Sequence, residues 1–241
     1  LTWTGFSEAQ IKSDSLLGLE LQYFKTQDPN FLWAKVYYYK QHLLFEEALT
    51  ELKRIEVLDF KALREKTLLL YLKGNFKTCL QTAQVAKDLA LSFQDSLEIS
   101  QIIFFAALEQ KDYTLCRQIA QHIFENDPKL PLLLERLEAE PKFLSVHKAE
   151  ILQQIFPGLG QAYAGKKGKA FWSFTLQAGS LLYLVSSFLT HHYASGVLTG
   201  GGLWFRFYTG GIRHARWLAE QENTKRSQIF NQSIKQTFFE K

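Results

Sequence analysis

The sequence predicts an all-α protein in two parts: an array of paired helices over roughly the first 130 residues, then a glycine-rich hydrophobic helical hairpin. Three observations predict it. Apolar residues recur at helical spacing from Ser7 to about Phe124, with no run of strand-like alternation bounded by turn residues. Three segments of that stretch align with one another. Between Lys169 and Arg206 the chain contains no Lys, Arg, Asp or Glu.

The composition supports a folded chain rather than a disordered one, because 46% of its residues are hydrophobic and 15% aromatic. Charge is unevenly spread. Residues 1–150 carry 18 Lys and Arg against 21 Asp and Glu, whereas residues 151–241 carry 10 against 3. A basic balance in the segment that holds the apolar runs points to an anionic lipid surface before nucleic acid. The chain lacks the clustered basic stripe and recognition motif that nucleic-acid binding requires, so no nucleic-acid partner is expected. Two cysteines, Cys79 and Cys116, are too few for a disulfide framework and wrongly spaced for zinc. Methionine is absent, even at residue 1; a secretion signal removed ahead of Leu1 would account for that start.

An N-terminal helical segment is expected over 1–27, ending at Gln27-Asp28-Pro29-Asn30. Further breaks fall at Gly74-Asn75, Ser92 to Ser96, Lys111-Asp112 and Asn126-Asp127-Pro128. The aligned segments are LLFEEALTEL from Leu43, KGNFKTCLQT from Lys73 and QKDYTLCRQI from Gln110. Each sets an aromatic (Phe45, Phe76, Tyr113) three residues before a small residue (Ala48, Cys79, Cys116). Leu52 with Ile55, Ala83 with Ala86, and Ala120 with Ile123 continue the same helix face.

This pattern over 28–130 resembles the tetratricopeptide repeat, a helix–turn–helix unit of about 34 residues whose small residues let helices approach closely. The units recur at 31 and 37 residues, Gly74 occupies the turn glycine and Pro128 the closing proline. The resemblance implies a protein-binding groove on the first helix of each unit, with Tyr38, Tyr39, Lys66, Leu70 and Phe104 as its candidate residues. It also makes both cysteines compact packing residues rather than reactive thiols.

A linker helix is expected over 131–154, and the hydrophobic hairpin over 155–219. Its first arm, Ala170 to Thr190, would be about 31 Å long as a helix, near the roughly 30 Å of a bilayer core, although Ser, Thr and Gln dilute it. The second arm, Tyr193 to Ile212, carries the small-residue pair Gly196 and Gly200, suited to close helix packing. It also carries three consecutive glycines and Arg206, so a tilted, broken or half-inserted helix is expected, with Arg206 snorkelling or meeting a partner. Lys166, Lys167 and Lys169 precede the hairpin, and Arg213, His214 and Arg216 follow it. The positive-inside tendency would place both ends in the cytoplasm, whereas a removed secretion signal would place the repeats in the periplasm.

The sequence IFPGLGQAYAGKKGKAF from Ile155 resembles bacterial envelope proteins that append a two-transmembrane hairpin to helical repeats. The matching positions are Pro157, Gly158, Gly160, Gln161, Tyr163 and Gly165, and FYTGGIRHARWLAEQEN from Phe207 resembles the closing pattern of that family. The resemblance implies architecture and an envelope location. The motif residues themselves read as a tight turn into the hairpin, with Gln161 and Tyr163 at the interfacial level. A polar C-terminal helix over 220–241 carries Ile229, Phe230, Ile234, Phe238 and Phe239 on a partial stripe.

No catalytic constellation, cofactor or metal site is expected. GQAYAGK from Gly160 fits a phosphate-binding loop only until Lys167 replaces the required hydroxyl. His191-His192 has no further ligand nearby, and His42, His122 and His147 stand without a paired nucleophile. The expected function is therefore that of a non-enzymatic, membrane-associated adaptor in a bacterial envelope assembly for secretion or outer-membrane biogenesis. Its partners would be other subunits and membrane lipid. The alternative is a membrane protein that passes a small ligand or ion along a polar path lined by Arg206, His191 and His192.

Overall fold

Helix starts are written into the residues that precede them. The computed structural model describes residues 16–55, 59–125 and 127–239. Asp28 accepts from the Asn30 N–H at 2.9 Å, Asp59 from Ala62 at 2.7 Å, Ser92 from Asp95 at 3.1 Å and Asp112 from Leu115 at 3.0 Å. Each such cap satisfies an orphan donor and stabilises its helix by about 1 kcal/mol. The result among the described residues is helices joined by turns, with no strand, as expected of an all-α chain. The part of the N-terminal segment before residue 16, Asn126 of the expected break, and the last two residues of the C-terminal helix lie outside the described residues.

The chain divides into two compact units, residues through Glu138 together with Thr237 onward, and Ala139–Gln236. In the first unit α1 (Leu16–Thr26) precedes three helix pairs: α2 (Pro29–Gln41) with α3 (Phe45–Lys53), α4 (Phe60–Leu72) with α5 (Phe76–Asp88), and α6 (Phe93–Gln110) with α7 (Tyr113–Ile123). The pairs share one turn. Leu43, Gly74 and Lys111 take φ of 59°, 82° and 64°. The next residues, Leu44, Asn75 and Asp112, each donate their N–H to a carbonyl of the preceding helix (Tyr39, Leu70 and Ala107) at 2.9 Å. Left-handed backbone at Leu43 and Lys111 costs each about 1 kcal/mol relative to glycine, so the fold imposes this turn even where the side chain disfavours it.

Packing repeats with the turn. Phe45, Phe76 and Tyr113 open the second helices, and Ala48, Cys79 and Cys116 one turn later are fully buried. Cys79 Sγ donates to the Thr67 carbonyl and Cys116 Sγ to the Phe104 carbonyl, equivalent positions in successive pairs. Burial pushes the Cys79 thiol up to about 11; burial first, and Asp112 second, push Cys116 to about 12, so both are inert packing groups. Leu49, Leu52, Leu69 and Leu70 fill the space between the first two pairs together with Trp33 and Val36. Within that apolar setting Lys35 is buried, and it is paired with Glu20 at 2.5 Å and Glu51 at 2.6 Å, while Arg54 binds both carboxylates. This four-charge network ties α1 to the first pair. A last short helix, α8 (Leu130–Glu138), completes the run, and Phe238 packs on Phe104, Phe105 and Phe124.

The second unit holds α9 (Val146–Ile155), α10 (Leu159–Tyr163), α11 (Lys167–Leu189), the single turn α12 (Tyr193–Ser195), a π-helical turn (Gly196–Gly201) and most of α13 (Gly202–Phe239). Three expectations change here. The linker over 131–154 is two helices rather than one, because Pro141 and the irregular residues around it interrupt the helical backbone, and Asn223 pairs with both backbone groups of Leu144, at 2.7 and 2.8 Å. The polar C-terminal helix is not separate, since no helix breaker lies between Ile212 and Phe239 and α13 runs through. The expected membrane span is also not found: among the described residues no helix is long and apolar enough to cross a membrane. Helix α11 has the length, at 23 residues, but Ser173, Gln177, Ser180, Ser186 and Ser187 lower its hydropathy.

Candidate functional site

The glycine-rich motif builds the junction from which the hairpin rises. Gly158 takes φ of 94°, and a Cβ there would lie 2.5 Å from the Ala170 carbonyl oxygen, so only glycine fits. Gly160 is equally confined, with the Ala149 carbonyl oxygen 2.2 Å from where its Cβ would stand. Gly165, at φ of 76°, ends α10, and the Lys166 N–H closes the turn on the Gln161 carbonyl. Pro157 sits half-buried in the turn between α9 and α10.

Of the remaining motif residues Gln161 faces inward, which corrects the expectation that it marks a membrane interface, while Tyr163 is half-buried. Gln161 is 2% exposed. The Tyr163 hydroxyl accepts from the Ser145 N–H at 3.1 Å, and Lys148 lies over its ring. Beside them Gln153 Oε1 accepts from the Gly158 N–H at 2.9 Å, and Gln153 and Gln177 both donate to Ser173 Oγ, at 3.3 and 3.4 Å. A polar seam thus runs through the base of the hairpin. Two of its acceptors, Gln161 Oε1 and Gln177 Oε1, are buried with no hydrogen-bond partner.

Above the seam the hairpin is packed through its small residues. A Cβ on Gly200 would lie 2.9 Å from the Leu184 backbone, and one on Gly196 would lie 2.8 Å from Ser187 Cβ. Along α11 the buried residues are Gln177, Ser180 and Ser187, while Phe171, Trp172, Leu182, Val185, Phe188 and Leu189 are exposed. Facing arms of the hairpin expose Val197, Leu198, Leu203 and Phe205. Large apolar side chains therefore point outward, and the buried positions of α11 are polar.

Where α11 meets α13 a cleft of about 540 Å³ opens, lined by Lys169, Trp172, Ser173 and Leu176 on one helix and Arg206, Phe207, Gly210, Gly211, Arg213 and His214 on the other, with Gln161 beneath. Its charged lining is entirely basic. Lys169 lies 5.3 Å over the Trp217 ring, and His214 stacks on the same indole. Burial, then the nearby Lys169 charge, hold the His214 imidazole below its ordinary range, so it stays neutral at pH 7. The sequence placed these basic residues at both ends of the hairpin; pairing of the helices brings them to one cleft. His191 and His192 lie instead in the turn between α11 and α12, where His191 Nδ1 meets the Tyr193 hydroxyl at 2.7 Å. They do not share the cleft lining with Arg206.

The candidate groove residues of the helix pairs separate into two groups. Phe104 is 0% exposed and Leu70 6%, which corrects their assignment to a groove: both are core, because each helix of a stacked array has neighbours on several sides. Tyr38 and Tyr39 are half-buried, with Tyr38 stacked on His42. Lys66 borders a 190 Å³ depression with Leu49, Leu52, Lys53, Ile55, Ala62 and Leu63. No group of three or more His, Cys, Asp or Glu residues that could hold a metal occurs among the described residues. No protein-family model, curated protein or solved structure matches the chain.

Proposed function

We propose that this chain is a non-enzymatic, membrane-associated adaptor whose helix pairs bind protein segments and whose hairpin seats in lipid. The observation that carries the reading is the inverted polarity of the hairpin, with Gln177, Ser180 and Ser187 inside and Trp172, Leu182, Leu189 and Leu198 outside. In water such a surface costs about 25 cal/mol for each Å² of apolar area left exposed. In hydrocarbon that cost vanishes, and association rests on close packing of small residues, as at Gly196 and Gly200. Mean hydropathy of a single helix undercounts this, since it averages inward Gln and Ser with outward Leu and Phe. The hairpin enters the bilayer as a tilted, half-inserted pair rather than as two independent spans.

The tetratricopeptide resemblance is supported by the recurrence of one turn and one packing position in three successive helix pairs. On this reading Tyr38, Tyr39 and Lys66 contact the bound protein segment. Together with the PGxGQxYxG resemblance, it supports reading the protein as a subunit of a secretion or outer-membrane assembly of the bacterial cell envelope, with the repeats in the periplasm.

The test is to express the tagged full-length chain, extract the membranes with carbonate, and identify what co-purifies in mild detergent. Retention in the membrane pellet with a stable set of subunits is the expected result. A soluble, solitary protein overturns it. Tyr38→Ala with Lys66→Ala is expected to release the partners while leaving the membrane fraction unchanged.

A further inference from the structure

The cleft between α11 and α13 has the composition of a site for a phosphate ester on an apolar tail. Lys169, Arg206 and Arg213 converge on it, no carboxylate lines it, and none of the three is ion-paired among the described residues. By contrast, Lys166 pairs with Glu222 at 3.8 Å and Arg216 with Glu150 at 2.8 Å. The cleft lining therefore carries three cations and no compensating carboxylate. Three like charges drawn together without an anion repel one another, and a bound phosphate would reverse the sign of that interaction.

Two further features narrow the ligand. Gln161 lines the cleft at 2% exposure with its Oε1 unpartnered, so the site holds a buried acceptor awaiting a donor such as a hydroxyl. Trp172, 64% exposed, and Leu176 continue the lining directly onto the outward apolar face of α11. A small soluble anion would leave that continuation unused.

We propose that the cleft binds the headgroup of an anionic phospholipid of the phosphatidylglycerol type, its phosphodiester held by Lys169, Arg206 and Arg213 and a headgroup hydroxyl donating to Gln161, with the acyl chains along α11. This rests on the membrane reading above and specifies which lipid the hairpin selects.

The experiment is vesicle co-sedimentation of the full-length chain, held in mild detergent below its lytic level, with phosphatidylcholine alone, with phosphatidylglycerol admixed, and with phosphatidylserine admixed at equal charge. Expected is binding to all three with a clear preference for phosphatidylglycerol. Lys169→Ala with Arg206→Ala is expected to cost about thirtyfold in affinity for phosphatidylglycerol vesicles and little for phosphatidylcholine. Both side chains are exposed, so the fold is retained; Lys167→Ala with Lys225→Ala removes two charges outside the cleft as the control. Equal losses from the two double variants, or equal binding to phosphatidylglycerol and phosphatidylserine, would overturn the headgroup site while leaving membrane association standing. Binding to no vesicle at all would instead overturn the membrane reading. Displacement from vesicles by glycerol 3-phosphate at comparable affinity would make the ligand a soluble phosphate and overturn the lipid assignment.

Discussion

Helix α6 of the first unit and helix α11 of the second are both long, and both bury a face at helical spacing, but they bury opposite chemistries. Helix α6 hides Ile99, Ile103, Phe104 and Leu108, and α11 hides Gln177, Ser180 and Ser187. The difference shows what holds each in place. Around α6 the association is driven by apolar area leaving water. Around α11 it is held by hydrogen bonds and by glycine-permitted close approach, neither of which needs water to drive it. The first unit should therefore answer to loss of volume, and the hairpin to gain of volume.

The largest expected effect lies on the α6 side. Phe104 is fully buried against Phe105 and Phe238, and Phe104→Ala deletes a ring that nothing nearby can replace. The expected loss is about 4 kcal/mol, read as a lowered urea midpoint with an unchanged slope. A loss below about 1 kcal/mol would mean that this unit is not held by apolar burial, since full truncation of a core aromatic costs several times that.

On the hairpin side the corresponding break is an addition. Gly200→Val forces a side chain against the Leu184 backbone, which cannot rotate away, and an overpacked contact of this kind costs about 2 to 3 kcal/mol. The same chain supplies its own control two residues later. Gly202 has open space around its Cβ direction and helical backbone, so Gly202→Ala is expected to be neutral or to stabilise by up to about 1 kcal/mol. Thermal unfolding in detergent compares the two; equal effects would show that Gly200 is not a packing contact.

How much of this was legible in the sequence depends on the range of the signal. The spacing of Phe45, Phe76 and Tyr113 to their small residues marks the second helix of each pair, because helix starts and one-turn packing are local properties. Periodicity cannot separate a groove from a core, and Leu70 and Phe104 went to the wrong one for that reason. Gln177 reads in sequence as a flaw in an apolar run, yet in the structure it faces Ser173 and the Phe207 carbonyl. The cleft needs the register between α11 and α13 before Lys169 can be placed with Arg206. Only Glu51 and Arg54 of the charge network are local, three residues apart; Glu20 and Lys35 come from two other helices, and no sequence spacing joins them to that pair.

That network gives the next effect in size, and it belongs to the first unit alone. Hydrogen bonds from Arg54 and then Lys35 hold the Glu20 carboxyl down at about 2, against 4.5 in the unfolded chain. A depressed carboxylate contributes its stability in full above pH 4.5, loses it as pH falls towards 2, and contributes nothing below that. With a quarter of the side chain still in water, the contribution is about 2 kcal/mol. Glu20→Gln should therefore unfold earlier than the wild type in urea at pH 7, and the gap should close progressively between pH 4.5 and pH 2. A gap independent of pH would assign the loss to packing rather than to charge.

The smallest effect on stability separates the two regions most directly. Leu182 and Leu198 are 70% and 78% exposed, so Leu182→Ser with Leu198→Ser removes no core contact, and the unfolding midpoint in detergent is expected to move by less than about 0.5 kcal/mol per site. Each change nevertheless withdraws an apolar side chain from the face proposed to meet lipid, where burying a leucine is worth about 1.5 to 3 kcal/mol. The double variant should therefore keep its fold and lose most of its retention in carbonate-washed membranes. The matched change on the first unit, Leu91→Ser, also alters a highly exposed leucine, at 95%, and should affect neither reading. If Leu182→Ser with Leu198→Ser instead destabilises the fold by several kcal/mol, those leucines are covered by protein, and the outward apolar face belongs to an interface between subunits rather than to a bilayer.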